Sequence, residues 1–411
     1  ATAVKAQSFV TVENGKLYRD GKPYTFIGTN YWYGAILGSK GKGGNRKRLN
    51  RELDEMKRLG ITNLRILVGS DGEEGIKWKA SPVLQPSPGV YNDTILEGLD
   101  YLMLQLQRRG MVAVLYLNNS WEWSGGYGFY LENAGAGKAL QPNEVGYSAY
   151  VKYAAQFATN PKAQQLFFNH LNFILKRTNR YTGKPYTEDP AIMSWQICNE
   201  PRAFDKAALP QFEAWIAKAA AMMKSIDKRH LVSVGSEGAF GCEADYDSWQ
   251  RICSDANIDY CNVHIWPYNW GWAKKDSLMQ NMQRAQEYTK DYLDRHLDIC
   301  AQINKPLVME EFGYPRDGVS FSKQSATTAR DAYYNYVFSL LADDLAKGGY
   351  FVGCNFWGWG GDAQPQHEQW IPGDDYVCDP PQEPQGLYSV FSSDDSTIKI
   401  IKAGIANLPK R

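Results

Sequence analysis

Short apolar runs alternate with longer amphipathic stretches along this chain. Thr25–Asn30, Asn63–Val68, Val112–Leu117, Ile192–Cys198, Leu231–Val234, Ile258–His264, Leu307–Met309 and Phe351–Phe356 read as strands. Helical periodicity follows each of them, over Arg46–Leu59, Thr94–Arg109, Ala163–Arg180, Pro210–Ile226, a short piece at Tyr246–Ile252, Ser277–Ile303 with a break allowed, Ala326–Leu345 and Thr397–Ile405. Gly60 and Gly110 stand where the first two helices should stop. Eight strand–helix units predict a (β/α)8 TIM barrel. A doubly wound sheet is the alternative, and eight strands each followed by a helix favour closure. No low-complexity linker interrupts the pattern, so residues 1–411 are expected to form a single domain. Before the first unit, residues 9–24 carry Asn14-Gly15 and Asp20-Gly21, two hairpin signals, and should plug the bottom of the barrel.

Two strands end in an unexpected way. Ile192-Met-Ser-Trp-Gln-Ile-Cys198 runs into Asn199-Glu200-Pro201, and Leu307-Val-Met309 into Glu310-Glu311-Phe312-Gly313. A strand core has no use for a carboxylate terminus. In a parallel barrel the strand C-termini face the active-site mouth, so strands four and seven would deliver two carboxylates into one cleft. Cleavage of a glycosidic bond requires that pair, one to protonate the leaving oxygen and one across the sugar ring. Alternation puts Glu310 and Glu311 on opposite faces of their strand and does not say which face points inward. Arg65, ending strand two, can hold a carboxylate as an anion. Asn199 can hydrogen-bond a sugar hydroxyl, and His264 ends strand six. Insertions at Asn118–Ser148 and Trp357–Val390 follow strands, on the mouth side. Both carry tryptophan in turn-rich sequence, where core packing explains it poorly. Trp357 should floor the sugar site. Trp359 is its less favoured neighbour, and Trp32, Trp121, Trp123, Trp266, Trp270 and Trp272 are further cleft candidates.

Composition narrows the partners. Lys+Arg and Asp+Glu are both 45, so no polyanionic partner is indicated and no basic stripe suggests nucleic acid. No run of apolar residues is long enough to span a membrane. The seven cysteines show no metal spacing and the five histidines are scattered, so no metal and no organic cofactor are expected. Cys198 and Cys354 fall in strands as buried thiols, and Cys242 and Cys253 flank a loop as a candidate disulfide. The chain opens Ala1-Thr-Ala-Val-Lys5 with no initiator Met, as after removal of a leader or trimming of the sequence. With a polymer substrate and the candidate Cys242–Cys253 disulfide, this makes an extracytoplasmic location, secreted or periplasmic, the expectation. A monomer is expected.

Asn199-Glu200-Pro201 with Glu311-Phe312-Gly313 resembles glycoside hydrolase family 5, in the clan of retaining (β/α)8 hydrolases. The likeness runs through Gly28-Thr-Asn-Tyr-Trp-Tyr33, Leu64-Arg65-Ile66, Asn118-Asn119-Ser-Trp121, His264-Ile-Trp266 and Asn355-Phe-Trp357, where the mannan-active subfamily carries its site residues. Asn119-Ser-Trp-Glu-Trp-Ser-Gly-Gly126 and Gly373-Asp-Asp…Asp379-Pro-Pro-Gln-Glu383 are similar to exo-acting β-mannosidases of mannan-degrading bacteria. The resemblance implies Glu200 as acid/base and Glu311, rather than Glu310, as nucleophile. It implies substrate contacts at Arg65, Asn119, Trp121, Asn199, His264, Trp266 and Trp357, and β-mannan or manno-oligosaccharides as substrate. Many relatives carry an aromatic hydroxyl where Trp266 stands, and an indole can donate but not accept. An endo-β-1,4-mannanase is the alternative. A β-1,4-glucanase or a non-catalytic sugar-binding barrel are more distant, the last disfavoured because both carboxylates are present.

Overall fold

The structure, a computed structural model, describes residues 7–409. Eight parallel strands form its centre: β1 (Phe26–Asn30), β2 (Asn63–Leu67), β3 (Val112–Tyr116), β4 (Ile192–Gln196), β5 (Leu231–Ser233), β6 (Cys261–Ile265), β7 (Leu307–Phe312) and β8 (Phe351–Phe356). They pair in the order β5-β4-β3-β2-β1-β8-β7-β6. At the seam between β5 and β6, single bonds replace the ladder: Asp259 N–H to Val232 O at 2.8 Å, Gly235 N–H to Asn262 Oδ1 at 2.9 Å and His264 N–H to Glu237 O at 3.2 Å. The two ends of the sheet therefore meet, which a doubly wound sheet does not allow, and the (β/α)8 barrel stands.

A helix follows each strand, at Arg46–Leu59, Asp93–Arg108, Pro161–Leu175, Leu209–Ile226, Tyr246–Cys253, Met282–Ile303, Thr328–Ala346 and Asp395–Ala406. Caps set many of the boundaries. Asn45, Asn92, Asn160 and Asp245 accept from first-turn amides, and Gly60 ends its helix at φ 90°. The third helix stops at Leu175 instead of Arg180, because Arg177 and Asn179 turn onto Asp100 at 2.7 and 3.0 Å. Strand β6 begins at Cys261 instead of Ile258. Lys305 Nζ takes the Ile258 carbonyl at 2.6 Å, and Asp259 is spent on Val232.

The N-terminal segment folds into three short antiparallel strands, Thr11–Glu13, Lys16–Arg19 and Lys22–Pro23. Its Val10 and Leu17 pack with Phe26, Val112, Val114, Met193, Leu231, Val308 and Val352, the inward residues at the strand starts. Above this apolar floor the interior turns polar. Asn355 Nδ2 donates to Asn63 Oδ1 at 3.0 Å, and Asn30, Arg65, Gln196 and Glu310 form the next layer. Gly28 is required where the polar layer begins, since a Cβ there would lie 2.3 Å from the Asn63 carbonyl oxygen.

Both mouth insertions are ordered by their own contacts. The first contains helical turns at Glu122–Ser124, Gly126–Asn133 and Pro142–Val145. In the second, Trp359–Gly361 pairs with Val390–Phe391. The buried Asp379 carboxylate accepts from the amides of Gly386 and Tyr388, both at 2.8 Å, and from Ser389 Oγ. Two buried arginines hold the base of this loop. Arg316 bridges to Asp394 and to Gly386 O, and Arg330 donates to the carbonyls of Leu387 and Ser389. Cys242 and Cys253 are both free, buried thiols, which corrects the expected disulfide; Cys198 and Cys354 are buried thiols as read. Among the described residues no helix is long and apolar enough to cross a membrane.

Candidate active site

Strand β7 carries an irregularity that decides the site. Against β6, Met309 pairs with Val263 but Glu311 pairs with His264, so Glu310 is an inserted residue. Val308 faces the interior, and alternation sends Glu310 the same way. The bulge then returns Glu311 to the interior too. The two consecutive glutamates therefore do not lie on opposite faces, as alternation alone predicts. Arg65 stands between them, with Nε 2.8 Å from Glu310 Oε2 and Nη1 2.6 Å from Glu311 Oε2. It does not grip one carboxylate with both arms. Its remaining contacts go to Asn30, Gln196 and Asn199, and it lies over the Tyr116 ring.

Glu200 follows β4 with φ 46°, a left-handed conformation costing about 1–3 kcal/mol in a non-glycine residue. Its amide donates to Gly235 O at 2.9 Å and its carbonyl accepts from Ser120 Oγ at 2.5 Å, which hold that turn. The side chain projects into the mouth, where Trp121 Nε1 donates to Oε1 at 3.0 Å and His264 Nδ1 lies 3.0 Å from Oε2. Glu311 accepts from Arg65 and from Trp266 Nε1 at 3.1 Å. Trp266 thus supplies, as a donor, the contact an aromatic hydroxyl would make. Oxygens of Glu200 and Glu311 and a nitrogen of His264 lie within 4.8 Å of one another.

His264 touches all three acids: Nδ1 is 3.5 Å from Glu311 Oε2 and Nε2 is 3.6 Å from Glu310 Oε1. Burial opposes its charge, but Glu311, Glu200 and Glu310 outweigh it and raise the imidazole to about 10. Burial and the Glu200 charge lift Glu311 to about 7, against the pull of His264 and Arg65. For Glu200 burial also pushes upward, yet the His264 hydrogen bond and charge, with Arg202 and Trp121, bring it below its ordinary value. The surrounding acids therefore favour the imidazolium form of His264, whose Nδ1 faces Glu200 Oε2. Replacing His264 by Asn removes a cation that favours both carboxylate anions. Both should then titrate higher, and the acid limb of kcat/KM should move to higher pH, with the largest loss at low pH. A loss equal at every pH would show that His264 only shapes the pocket.

A cavity of about 340 Å³ opens above these groups, lined by Glu200, Glu311, Asn199, Trp121, Trp123, Trp266, Trp357 and loop residues. Trp357 is 6.3 Å from Trp123 and 6.2 Å from Trp266 in edge-to-face contacts. Arg65, Asn119 and His264 are fully buried behind this lining. Asn119 accepts from Trp121 N and Asn199 Nδ2, so it orients the wall. Trp32 and Trp359 are core residues, Trp32 donating to Cys378 O. Sequence reasoning missed several lining residues. Arg202 is clamped by Glu237 at 2.5 and 2.8 Å and reaches the Tyr147 hydroxyl. Asn269 accepts from Tyr388, and Glu383 also lines the cavity, lifted to about 8 by burial and by Asp379, Glu311 and Glu200. Glu237 follows β5 much as Glu200 follows β4, a signal that could have found it.

The model of a family described as GH family 5 beta-mannosidase-like matches residues 7–411. The chain is similar to a glycoside hydrolase family 5 mannosidase from Rhizomucor miehei, with 36% identity, 97% of each chain covered and a TM-score of 0.89. A glutamate-to-alanine mutant of that mannosidase was solved with mannosyl-fructose. Mannan endo-1,4-beta-mannosidase 1 of Oryza sativa subsp. japonica is 30% identical over 365 residues, covering 85% of this chain and 78% of that protein. The endo-1,4-beta-mannanase of Rhizomucor miehei, 24% identical with a TM-score of 0.70 over 97% and 99% of the two chains, shares the fold.

Proposed function

The chain belongs to the β-mannosidase-like branch of glycoside hydrolase family 5, and from that premise we propose that it hydrolyses β-1,4-mannosidic bonds of mannan or manno-oligosaccharides by double displacement, releasing mannose from chain ends. The observation that supports the mechanism is that one oxygen of Glu200 and one of Glu311 come within 4.8 Å of each other, both against Nδ1 of His264. Retaining enzymes hold their carboxyls about 5–5.5 Å apart, and inverting ones about 6.5–9.5 Å to admit a water.

The roles follow from the partners of each group. Glu311 has N–H donors on both oxygens and the Arg65 charge beside it, an arrangement that favours an anion. Its carboxylate attacks the anomeric carbon while the bond from that carbon to the leaving oxygen breaks. Glu200 supplies the proton to that oxygen, having drawn it along the hydrogen bond from His264 Nδ1. The mannosyl–Glu311 ester is then opened by water. The anionic Glu200 takes a water proton, the hydroxide oxygen bonds to the anomeric carbon, and Glu311 departs. Trp357 gives the sugar an apolar floor.

Action at chain ends is supported by the walls. Pro380, Gln382 and Glu383 line one side on the loop pinned by Asp379, and Trp121, Trp123 and Tyr147 another. Endo action is the second reading, favoured by the endo-1,4 name of the rice relative. Fresh products of mannohexaose, with cellohexaose alongside, separate all three elements. The β-anomer, with mannose and mannopentaose appearing first, is the expected result. An α-anomer would rule out double displacement, early mannobiose and mannotriose would leave an endo-enzyme, and cleavage of cellohexaose instead would discard the mannan reading. A polymer substrate favours an extracytoplasmic location. The catalytic groups all come from one chain, in keeping with a monomer.

A further inference from the structure

The loop after β6 runs Trp266-Pro-Tyr-Asn-Trp-Gly-Trp272. Trp266 serves Glu311 and Asn269 meets Tyr388, which leaves two tryptophans in a tight, solvent-facing turn without a role in the chemistry. Trp270 lines the catalytic cavity, and its ring lies 5.1 Å from that of Trp272. Trp272 in turn lies 5.6 Å from Tyr288, which is 48% exposed on the helix Met282–Ile303. The three rings form a file leading from the cavity to the outer surface. Phe240 backs its inner end at 4.8 Å from Trp270. The turn is held rigidly: the amides of Trp270 and Trp272 donate to the carbonyls of Trp266 and Pro267 at 2.9 and 2.8 Å, and Arg284 Nε donates to Trp272 O at 2.8 Å. Successive rings meet edge to face, at 73° and 87°, so the file is a stepped apolar surface, presented at small conformational cost, on which a sugar can stack where a ring face is left uncovered.

The place of these loops in the barrel order supports one occupant. Glu200, which meets the leaving oxygen, stands on β4, and the file rises from the loop after β6 with the β5 loop residue Phe240 behind it. The β8 loop, which carries Glu383, follows a strand that lies beyond β7 in that order. We propose that Trp270, Trp272 and Tyr288 form an outer binding track for the leaving-group portion of a manno-oligosaccharide, extending the site beyond the sugars flanking the cleaved bond. The inference rests on the mannan reading above.

The experiment compares kcat/KM for mannohexaose and mannobiose in the wild type, Trp272→Ala and Tyr288→Ala. The track predicts that the hexaose-to-biose ratio falls by about tenfold in Trp272→Ala and severalfold in Tyr288→Ala, through KM and not kcat. Ratios equal to wild type in both variants would overturn the track. Should Trp272→Ala fail to fold, the surface change Tyr288→Ala decides alone. A wild type that cleaves neither mannan fragment refutes the substrate reading, a result distinct from one in which the wild-type ratio survives both changes.

Discussion

Glu311→Ala should lose turnover by on the order of 10⁴-fold or more, because no other group can form the covalent intermediate. Glu200→Ala should behave differently. Aryl mannosides with good leaving groups need little protonation, so the enzyme should still be mannosylated by them and then stall, lacking a base for water. Azide needs no base, so it should restore turnover of aryl mannosides and yield a β-mannosyl azide. Glu310 is the control that matters. Gln196 donates to both of its oxygens and Arg65 sits beside it, so Glu310→Ala should also lower activity, by disturbing that layer. Loss of rate alone therefore does not identify the nucleophile. A slow 2-fluoro-mannoside should trap the covalent ester, and peptide fragmentation should place the added mass on Glu311. Mass on Glu310, with Glu311→Ala still active, would reverse the assignment.

Arg65→Leu should be the most destabilising single change in the site. It leaves Glu310 and Glu311 buried without their shared cation, and removing one partner of a buried ion pair costs about 3–5 kcal/mol. The sign of its pH dependence follows. Two uncompensated carboxylates cost most when ionised, so the deficit in melting temperature should be largest at high pH and shrink as acid neutralises them. Arg65 also favours the Glu311 anion. Residual activity should accordingly need higher pH than in the wild type. A melting temperature close to wild type at alkaline pH would mean that Arg65 does not carry this charge balance. Arg65→Lys keeps the cation and loses the fork that reaches both carboxylates, so it should fall between.

The barrel was legible because each unit states its own boundaries. The helix Arg46–Leu59 and the strand Phe351–Phe356 lie where periodicity puts them. Acids at the ends of strands four and seven were legible because a carboxylate is out of place at the end of an apolar strand, while the choice of Glu311 over Glu310 came from the resemblance. The pairing at β7 was not. A bulge is a one-residue change in register, set by β6 and by Arg65 from across the barrel, and nothing in Leu-Val-Met-Glu-Glu announces it. The cavity residues Arg202, Asn269 and Glu383 come from loops, where no period marks a side chain's direction. Arg65, Asn119 and His264 were read as sugar contacts and lie buried behind the lining, where they orient or charge the groups that face it.

The bulge also changes what the site is as an electrostatic object. By returning Glu311 inward without sending Glu310 out, it gathers three carboxylates, with Glu200, around two cations, Arg65 and a protonated His264. With all three acids ionised, the cluster carries an excess of one negative charge in a pocket largely shielded from solvent. A neutral sugar gains little from that excess. As the glycosidic bond stretches, however, the ring takes on oxocarbenium character, and the field of the surplus anion, fixed before the reaction begins, works on that growing positive charge. One extra residue in a strand thus gives the pocket a potential that acts most strongly on the transition state.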